Sequence, residues 1–185
     1  MAPILDPKFC SKCGAPMKRA VPPTDSRERH VCTKCGWVHY LDPKVACGTI
    51  AEIDGRFALI QRNIDPRKGF WSFPCGFMEI DETTEQAALR ETKEETGLDV
   101  ALEGHLGTYS YSDNFYGGAI VVVVYRARVL SGTLKADDDC CDAKLVAPAE
   151  IPWEQLAFKS SVSALHDWLR HKGLPVPSRP NSGKV

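Results

Sequence analysis

The 185-residue sequence lacks any long hydrophobic run. The longest, from Ala119 to Tyr125, has seven residues, whereas a membrane-spanning helix needs about 20. Its β-branched content instead predicts a buried strand. An excess of one charge is also missing, because 23 basic residues stand against 24 acidic ones, for a formal net charge of -1. No global positive field can therefore hold a nucleic-acid backbone, and any such contact would have to be local.

Glycine and proline, with 14 and 13 residues, are too few for a collagen-like or low-complexity chain. The stretch from Met1 to Pro7 has neither a basic nor an apolar region, so we expect no secretory signal and a cytoplasmic location. There, most of the eight cysteines would be thiols or metal ligands. The length predicts one ordinary domain plus a small module.

Two Cys-x-x-Cys pairs near the N-terminus predict this small module. The pairs are separated by 18 residues, a spacing typical of a four-cysteine structural Zn²⁺ site. The expected ligands are Cys10, Cys13, Cys32 and Cys35. Because the intervening segment has no core of its own, the metal would supply most of its folding energy. His30 and His39 flank the second pair, but four thiolates already satisfy the metal, so we expect neither histidine to bind it.

The remainder of the sequence alternates between strand and helix patterns. Asp54-Gly55 is a strong hairpin-turn signal between two apolar-polar alternations, at 45–53 and 57–61. A capping box beginning at Thr83 predicts a helix over 83–96. Apolar periodicity predicts the other elements, which are strands around 102–111 and 119–129 and a helix over 160–171.

The first predicted helix carries Glu91, Glu94 and Glu95. Spacings of three and four residues place all three carboxylates on one side of it. One interpretation is a solvated charged face. The other is a site for a hard divalent cation such as Mg²⁺, which binds through clustered carboxylates and the phosphates of a substrate. The glycine-containing loop Pro74-Cys75-Gly76 precedes the helix and favours the second interpretation.

Written out, the loop and helix read Gly76-x5-Glu82-x7-Arg90-Glu91-Thr92-x-Glu94-Glu95-x-Gly97-Leu98. This pattern resembles the Nudix box of hydrolases that cleave nucleoside diphosphates linked to another moiety. Every fixed glycine, glutamate and arginine of the box is present. The departure is Thr92, where the family usually has an aliphatic residue facing the core. We expect threonine to substitute sterically, and leucine at this position to be neutral or stabilising.

The resemblance extends roughly from Phe9 to Leu169 and is to zinc-ribbon Nudix enzymes that hydrolyse ADP-ribose or FAD. It is carried outside the box by the cysteine pairs, Asp42-Pro43-Lys44, the segment Gly69 to Pro74, and Ile151-Pro152 leading to Leu156-Ala157-Phe158. The Ser-Gln-Pro-Trp-Pro-Phe-Pro element of the NADH-hydrolysing branch does not occur. NADH is therefore not expected as the main substrate.

The resemblance implies an α+β fold, a Nudix α/β/α sandwich with an N-terminal zinc ribbon. The implied domains are the ribbon at 1–41, the Nudix hydrolase domain at 42–172 and a flexible C-terminal tail at 173–185.

The resemblance also implies roles for the box residues. Glu91 and Glu95 would bind Mg²⁺ or Mn²⁺ directly. Glu94 would either complete a multi-metal cluster or orient the attacking water. The backbone carbonyl of Cys75 would be a further ligand.

Two more features complete the implied site. Arg90 and Glu82 would form a buried pair that holds the loop to the helix. A further acid often comes from a loop outside the box in this family, and Asp139 and Asp142 are the candidates, with a solvated acidic loop as the equal alternative.

The resemblance implies a Mg²⁺-dependent pyrophosphohydrolase that cleaves ADP-ribose or FAD and releases AMP. The expected partner is a small dinucleotide-type substrate; no membrane contact is expected, nucleic acid is not favoured, and a homodimer is left open. The alternative function is a nucleotide-sensing regulator whose zinc ribbon binds nucleic acid or protein. The candidates to stack on the base, with a core role as the alternative, are Tyr109, Tyr111, Phe115 and Tyr116.

Overall fold

The computed structural model of the chain describes residues 6–113 and 115–177. They form two compact units: the chain up to Pro43 together with Ser112–Ala119, and Lys44–Tyr111 together with the chain from Ile120. The part of the predicted tail from residue 178 onward lies outside the described residues. Within the described ranges, no helix combines the length and the apolar character needed to cross a membrane.

The first unit is built on a small antiparallel sheet. Its strands, in spatial order, are β1 (Met17–Ala20), β2 (Arg29–Cys32) and β3 (Val38–His39). Over the described part of residues 1–43, the buried residues are Cys10, Pro22, His30 and Cys32. So few buried side chains cannot supply a hydrophobic core, which agrees with a sheet organised around cysteine sulfurs.

The second unit contains a mixed seven-stranded sheet. Its strands are β4 (Lys44–Ile53), β5 (Arg56–Arg62), β6 (Trp71–Ser72), β7 (Cys75–Phe77), β8 (Leu98–Asp113), β9 (Gly118–Gly132) and β10 (Cys140–Val146). The main order is β10-β5-β4-β9-β8, with β6 paired to β5 and β7 paired to β4. Strands β4 and β9 run parallel, so the sheet has a buried parallel centre.

The predicted hairpin is observed between β4 and β5. Asp54 and Gly55 both have positive φ, at 49° and 73°, as a type I′ turn requires. The turn sets Glu52 opposite Phe57 in the ladder. This register decides which side chains of the two strands share a face.

Two helices, α1 (Thr84–Thr96) and α2 (Lys159–His171), cover the sheet. Cys47 of β4 clusters with Ala87 of α1. Phe57 shares a face with Glu52, opposite to that of Cys47, and its ring lies 4.9 Å from that of Trp168 in α2. The helices therefore lie on opposite faces, and the expected α/β/α sandwich is confirmed.

Helix α1 begins and ends where its capping residues predict. The side chain of Thr83 accepts a hydrogen bond from the N–H of Gln86, and the side chain of Gln86 accepts one from the N–H of Thr83. Gly97 ends the helix, and its N–H donates to the carbonyl of Lys93 at 2.9 Å. These caps fix the position of the carboxylates between them.

Candidate functional site

The loop before α1 is held against the middle of the sheet. Strand β7 pairs with β4 so that Cys75 lies opposite Gly48. The N–H of Thr49 donates to the carbonyl of Pro74 at 3.1 Å. Helix α1 packs on the same two strands. The loop and the glutamate-bearing face of α1 are therefore brought together by one pair of strands.

Glu95 is buried, with 5% of its surface exposed. Its Oε2 accepts a hydrogen bond from the N–H of Cys75 at 2.7 Å. Burial raises the pKa of Glu95 to about 8, although the Cys75 hydrogen bond and the charge of Arg62 act in the opposite direction. Burial thus disfavours the ionised form of this carboxylate, and a further cation beside it would favour that form.

Glu91, one turn earlier, is also buried, and burial raises the pKa of its carboxyl group. Its carboxylate lies against the loop at Gly76, where an added Cβ would be only 2.3 Å from the carboxylate carbon and Oε2. Any side chain at residue 76 would therefore displace Glu91. The glycine of the motif is explained by this close approach.

Glu94 differs from the other two glutamates because its side chain is 47% exposed. Its Oε2 accepts a hydrogen bond from Arg90 Nη1 at 2.9 Å. The helical spacing thus brings together two buried carboxylates and one that reaches solvent.

Arg90 joins the loop to the carboxylates. Its Nη2 and Nε donate to the two oxygens of Glu82 at 2.5 and 3.1 Å, and its Nη2 also donates to the carbonyl of Phe77. Its Nη1 donates to Glu91 at 2.7 Å. The expected Arg90–Glu82 pair is present but only half-buried, with 30% and 13% of the two side chains exposed. The guanidinium of Arg90 is therefore partly exposed to solvent, whereas the resemblance implies a buried pair.

The acidic residues before and within β10 differ in their relation to the glutamate cluster. Asp142 is exposed, and its Oδ1 accepts the N–H of Ala143 at 2.8 Å. Asp139 is exposed, and its carbonyl accepts the N–H of Asn63. Asp138 is the acid of this segment whose charge contributes to the raised pKa of Glu91. A catalytic role for Asp139 or Asp142 stays a prediction, and Asp138 joins these candidates.

The structure adds Arg62 and Cys140, which sequence reasoning missed. The two residues lie opposite each other in the β5–β10 ladder. Arg62 is 9% exposed, and its charge acts on Glu95. The thiol of Cys140 interacts with Glu95, and burial raises its pKa. In the sequence, the signal that could have pointed to Arg62 is a basic residue at the end of the apolar run of β5. No local pattern shows that β10 pairs with β5.

The predicted aromatic candidates have different surroundings. The Tyr109 hydroxyl donates to a carboxylate of α2 at 2.9 Å, so its polar atom is engaged within the fold. Phe115 and Tyr116 form an edge-to-face pair at 5.2 Å within the first unit. Tyr111 instead lies 6.5 Å from the ring of Phe158, nearly parallel to it.

The four predicted zinc ligands form a second cluster, with all sulfurs within 4.8 Å of one another. Cys13 Sγ lies 3.5 Å from those of Cys32 and Cys35, and Cys10 Sγ lies 3.8 Å from that of Cys35. A tetrahedron with Zn–S bonds of about 2.3 Å has S–S edges of about 3.8 Å. The N–H groups of Cys35 and Lys34 donate to Cys32 and lower its pKa to about 6, which favours the thiolate.

Comparison with protein families gives two matches. The NUDIX domain matches residues 41–169. The Nudix N-terminal zinc ribbon matches residues 8–41. Together they span the carboxylate cluster and the cysteine cluster.

Two individual proteins and one solved structure are also similar to this chain. An ADP-ribose pyrophosphatase from Methanocaldococcus jannaschii is 39% identical over 133 residues, which are 72% of this chain and 77% of that protein. The NAD-capped RNA hydrolase NudC of Vibrio atlanticus is 26% identical over 78% of this chain, which spans about half (51%) of that relative's length. The crystal structure of a NUDIX hydrolase from Nitrosomonas europaea has 34% identity and a TM-score of 0.81, covering 91% of this chain and 95% of that one.

Proposed function

Because the chain belongs to the Nudix family of hydrolases, we propose that it cleaves the diphosphate of ADP-ribose or FAD with the aid of Mg²⁺ or Mn²⁺ and releases AMP. The observation that carries this proposal is the convergence of buried Glu91 and Glu95 on the Cys75-Gly76 loop. The M. jannaschii relative named as an ADP-ribose pyrophosphatase supports the substrate class.

The residues of this cluster fit a hard divalent cation. Two carboxylates one helical turn apart are buried. The guanidinium of Arg90, which donates to Glu91, is shared with Glu82 and Glu94, and the charge of Arg62 acts on Glu95. Burial and the charge of Glu91 both raise the pKa of Glu95, so a cation bound beside the two carboxylates would favour their ionised forms. When bound, the cation would neutralise the diphosphate and lower the pKa of a bound water.

The chain's own groups then have separate roles. Glu91 and Glu95 would hold the cation, together with the backbone carbonyl of Cys75. Arg90 keeps Glu91 in place through a 2.7 Å hydrogen bond. Glu94, which reaches solvent, would orient the attacking water or complete a larger metal cluster. Asp139, Asp142 and Asp138 are the candidates for a further acid.

The cysteine cluster would hold one structural Zn²⁺. Four thiolates fill all tetrahedral positions and leave none open for chemistry. Since few side chains of this unit are buried, the metal would contribute most of its folding free energy.

A second candidate function is a regulator whose ribbon binds single-stranded nucleic acid. Trp37 and Tyr40 of the ribbon are 43% and 50% exposed. Lys12 lies 5.7 Å from the Trp37 ring and Arg29 lies 5.2 Å from the Tyr40 ring. Exposed rings beside cations can stack on bases. Oligonucleotide binding without diphosphate hydrolysis would favour this function.

The deciding experiment measures kcat/KM for ADP-ribose, FAD, NADH, ATP and oxidised dGTP at one Mg²⁺ concentration, with an EDTA control and product identification. ADP-ribose and FAD should exceed the triphosphates, because a diphosphate joining two groups offers binding contacts on both sides of the scissile bond. A tenfold preference for oxidised dGTP, about 1.4 kcal/mol, would instead indicate a nucleotide-pool sanitising enzyme.

A further inference from the structure

A polar cavity of about 760 Å³ lies beside the glutamate cluster in the second unit. Its charged lining residues are Lys93, Glu94, Lys135, Asp137 and Asp138. Glu94 belongs to both features, because Arg90 Nη1 donates to Glu94 at 2.9 Å and to Glu91 at 2.7 Å. The charge of Asp138 also acts on Glu91. A group held at the cluster therefore has this cavity as its neighbour.

One wall of the cavity is formed where the end of α1 meets the end of β9. A Cβ added to Gly132 would lie 2.4 Å from the carbonyl oxygen of Gly97, and one added to Gly97 would lie 2.9 Å from that of Thr133. The N–H of Lys135 donates to the carbonyl of Thr96 at 3.1 Å. This close backbone contact fixes the segment that carries Thr133 and Lys135 against the helix that carries the glutamates.

The lining can donate and accept hydrogen bonds but does not favour an anion. Lys93 and Lys135 supply donors, the carboxylates supply acceptors, and the Thr133 hydroxyl can do either. Because three carboxylates outnumber two lysines, the lining is negatively charged and disfavours a further phosphate. Among the described residues, those that line the cavity include no aromatic ring on which a flavin or a base could stack. These properties suit a neutral group with several hydroxyls, such as a sugar.

Both lysines already have partners at the surface. Lys93 Nζ lies 2.9 Å from Asp99 Oδ1, and Lys135 forms an ion pair with Asp137. The lysine side chains are 50% and 64% exposed. Exposed ion pairs contribute little free energy, and each ammonium group has three donors. These lysines can therefore also donate to a ligand in the cavity.

Resting on the proposed function, we propose that this cavity binds the sugar joined to the diphosphate of the nucleotide, with Thr133 and Lys135 as specificity-determining residues. The substrate class is then a nucleoside diphosphate sugar such as ADP-ribose, in preference to FAD. With the diphosphate at the glutamate cluster, the sugar enters the adjoining cavity and the nucleotide lies on the other side of the scissile bond. The flavin half of FAD would bring a planar ring to a lining of charged and hydroxyl groups.

The test measures kcat and KM for ADP-ribose, ADP-glucose and FAD on the full chain at one Mg²⁺ concentration. The wild type should prefer both sugar substrates to FAD by about tenfold or more in kcat/KM. Loss of one hydrogen bond to the sugar should raise the KM for ADP-ribose about fivefold in Thr133→Val and about tenfold in Lys135→Met. The KM for FAD should change by less than about twofold. Because all three substrates carry the same diphosphate, a general effect of the lost charge would change all of them equally.

A binding measurement gives a second readout that does not depend on turnover. Ribose 5-phosphate, the product that contains the sugar, is titrated by calorimetry into the full chain with Mg²⁺ and with excess AMP to fill the nucleotide side. Thr133→Val and Lys135→Met should raise the Kd for ribose 5-phosphate by the same factors as the KM and leave the Kd for AMP unchanged. The matched controls are Thr24→Val and Lys18→Met, which change exposed residues of the ribbon and should keep the wild-type values.

Folded variants, verified by circular dichroism, with wild-type KM and Kd values would overturn this inference and leave the proposed hydrolase intact. A wild type that prefers FAD, or variants that lose activity equally on all three substrates, would overturn it as well. Absence of hydrolysis by the wild type would instead overturn the proposed function. The ribose 5-phosphate titration would then still decide whether the cavity binds a sugar.

Discussion

Thr49 in β4 and Thr92 in α1 are hydrogen-bonded to each other through their side chains, with 2.7 Å between the hydroxyl oxygens. Both residues are fully buried. Thr92 donates its own proton to the carbonyl of Ala88, so Thr49 is the donor between the two. The one departure from the motif is therefore a polar tie between the sheet and the helix that carries the glutamates.

This tie reverses the sequence-based expectation for Thr92→Leu. Leucine is larger than threonine at a fully buried position, and it would leave the Thr49 hydroxyl without its partner. The variant should lose about 1–3 kcal/mol of unfolding free energy, measured by urea denaturation. A neutral or stabilised variant would restore the original expectation.

A matched comparison uses valine, which keeps the shape of threonine. Thr92→Val should be destabilised, while the double variant Thr49→Val/Thr92→Val should cost less than the sum of the single variants, since replacing both partners leaves no unsatisfied donor. Strict additivity would show that the two hydroxyls are not coupled.

Gly76→Ala should impair catalysis without unfolding the chain. The new methyl group would meet the Glu91 carboxylate at 2.3 Å, so this proposed metal ligand must move. A displacement of about 1 Å can cost about 10²-fold in rate, and we expect a loss of kcat/KM of this order. The Mg²⁺ concentration needed for half-maximal activity should rise, because the metal is bound more weakly. Gly118→Ala is the control, because a Cβ there meets nothing within 4 Å. Equal activity in the two variants would argue against the close approach.

Glu95→Gln should lower kcat by about 10²-fold or more, because it removes one charge from the proposed metal site while preserving side-chain shape. Circular dichroism should show an unchanged fold. Near-normal turnover at saturating Mg²⁺ would remove Glu95 from the metal site.

The wild type and Glu95→Gln, compared in EDTA, should also differ in the pH dependence of their stability. Burial raises the pKa of Glu95 to about 8, above its unfolded value of about 4.3. Between these values the folded chain binds more protons than the unfolded chain, so stability decreases as pH rises from about 5 to 8. Relative to Glu95→Gln, the metal-free wild type should lose unfolding free energy over this range. Parallel pH profiles would contradict the assignment.

Cys13→Ser should remove zinc from the ribbon. Elemental analysis should find one zinc per wild-type chain and little in the variant, because three thiolates leave the tetrahedral site incomplete. The ribbon should loosen while Nudix activity is largely retained. Cys141→Ser removes an exposed thiol outside the cluster and should keep the metal. A folded wild type without zinc would defeat the prediction.

Much of the fold could be predicted because its signals are local. The Asp54-Gly55 turn and the Thr83 capping box each depend on backbone conformations of a few adjacent residues, and both are observed. The same holds for the two cysteine pairs, whose spacing predicts the cluster that the structure contains.

Other features depend on pairing between distant segments. Arg62 and Cys140 become neighbours only because β10 adds to the edge of β5. Phe158 approaches Tyr111 only when α2 packs on the sheet. No periodicity in either segment contains this information, because cross-strand register and helix docking are set by the whole core.

The sequence by itself determined the chemistry of the two clusters, since helical spacing alone places Glu91, Glu94 and Glu95 on one side and Cys-x-x-Cys spacing alone brings the two thiols of each pair together. Only the tertiary structure decided how these groups differ. It buries Glu91 and Glu95 against the loop and leaves the Glu94 side chain half-exposed. The physical reason is that side-chain spacing follows from local backbone geometry, whereas burial, pKa and hydrogen-bond partners depend on what the rest of the chain packs against them.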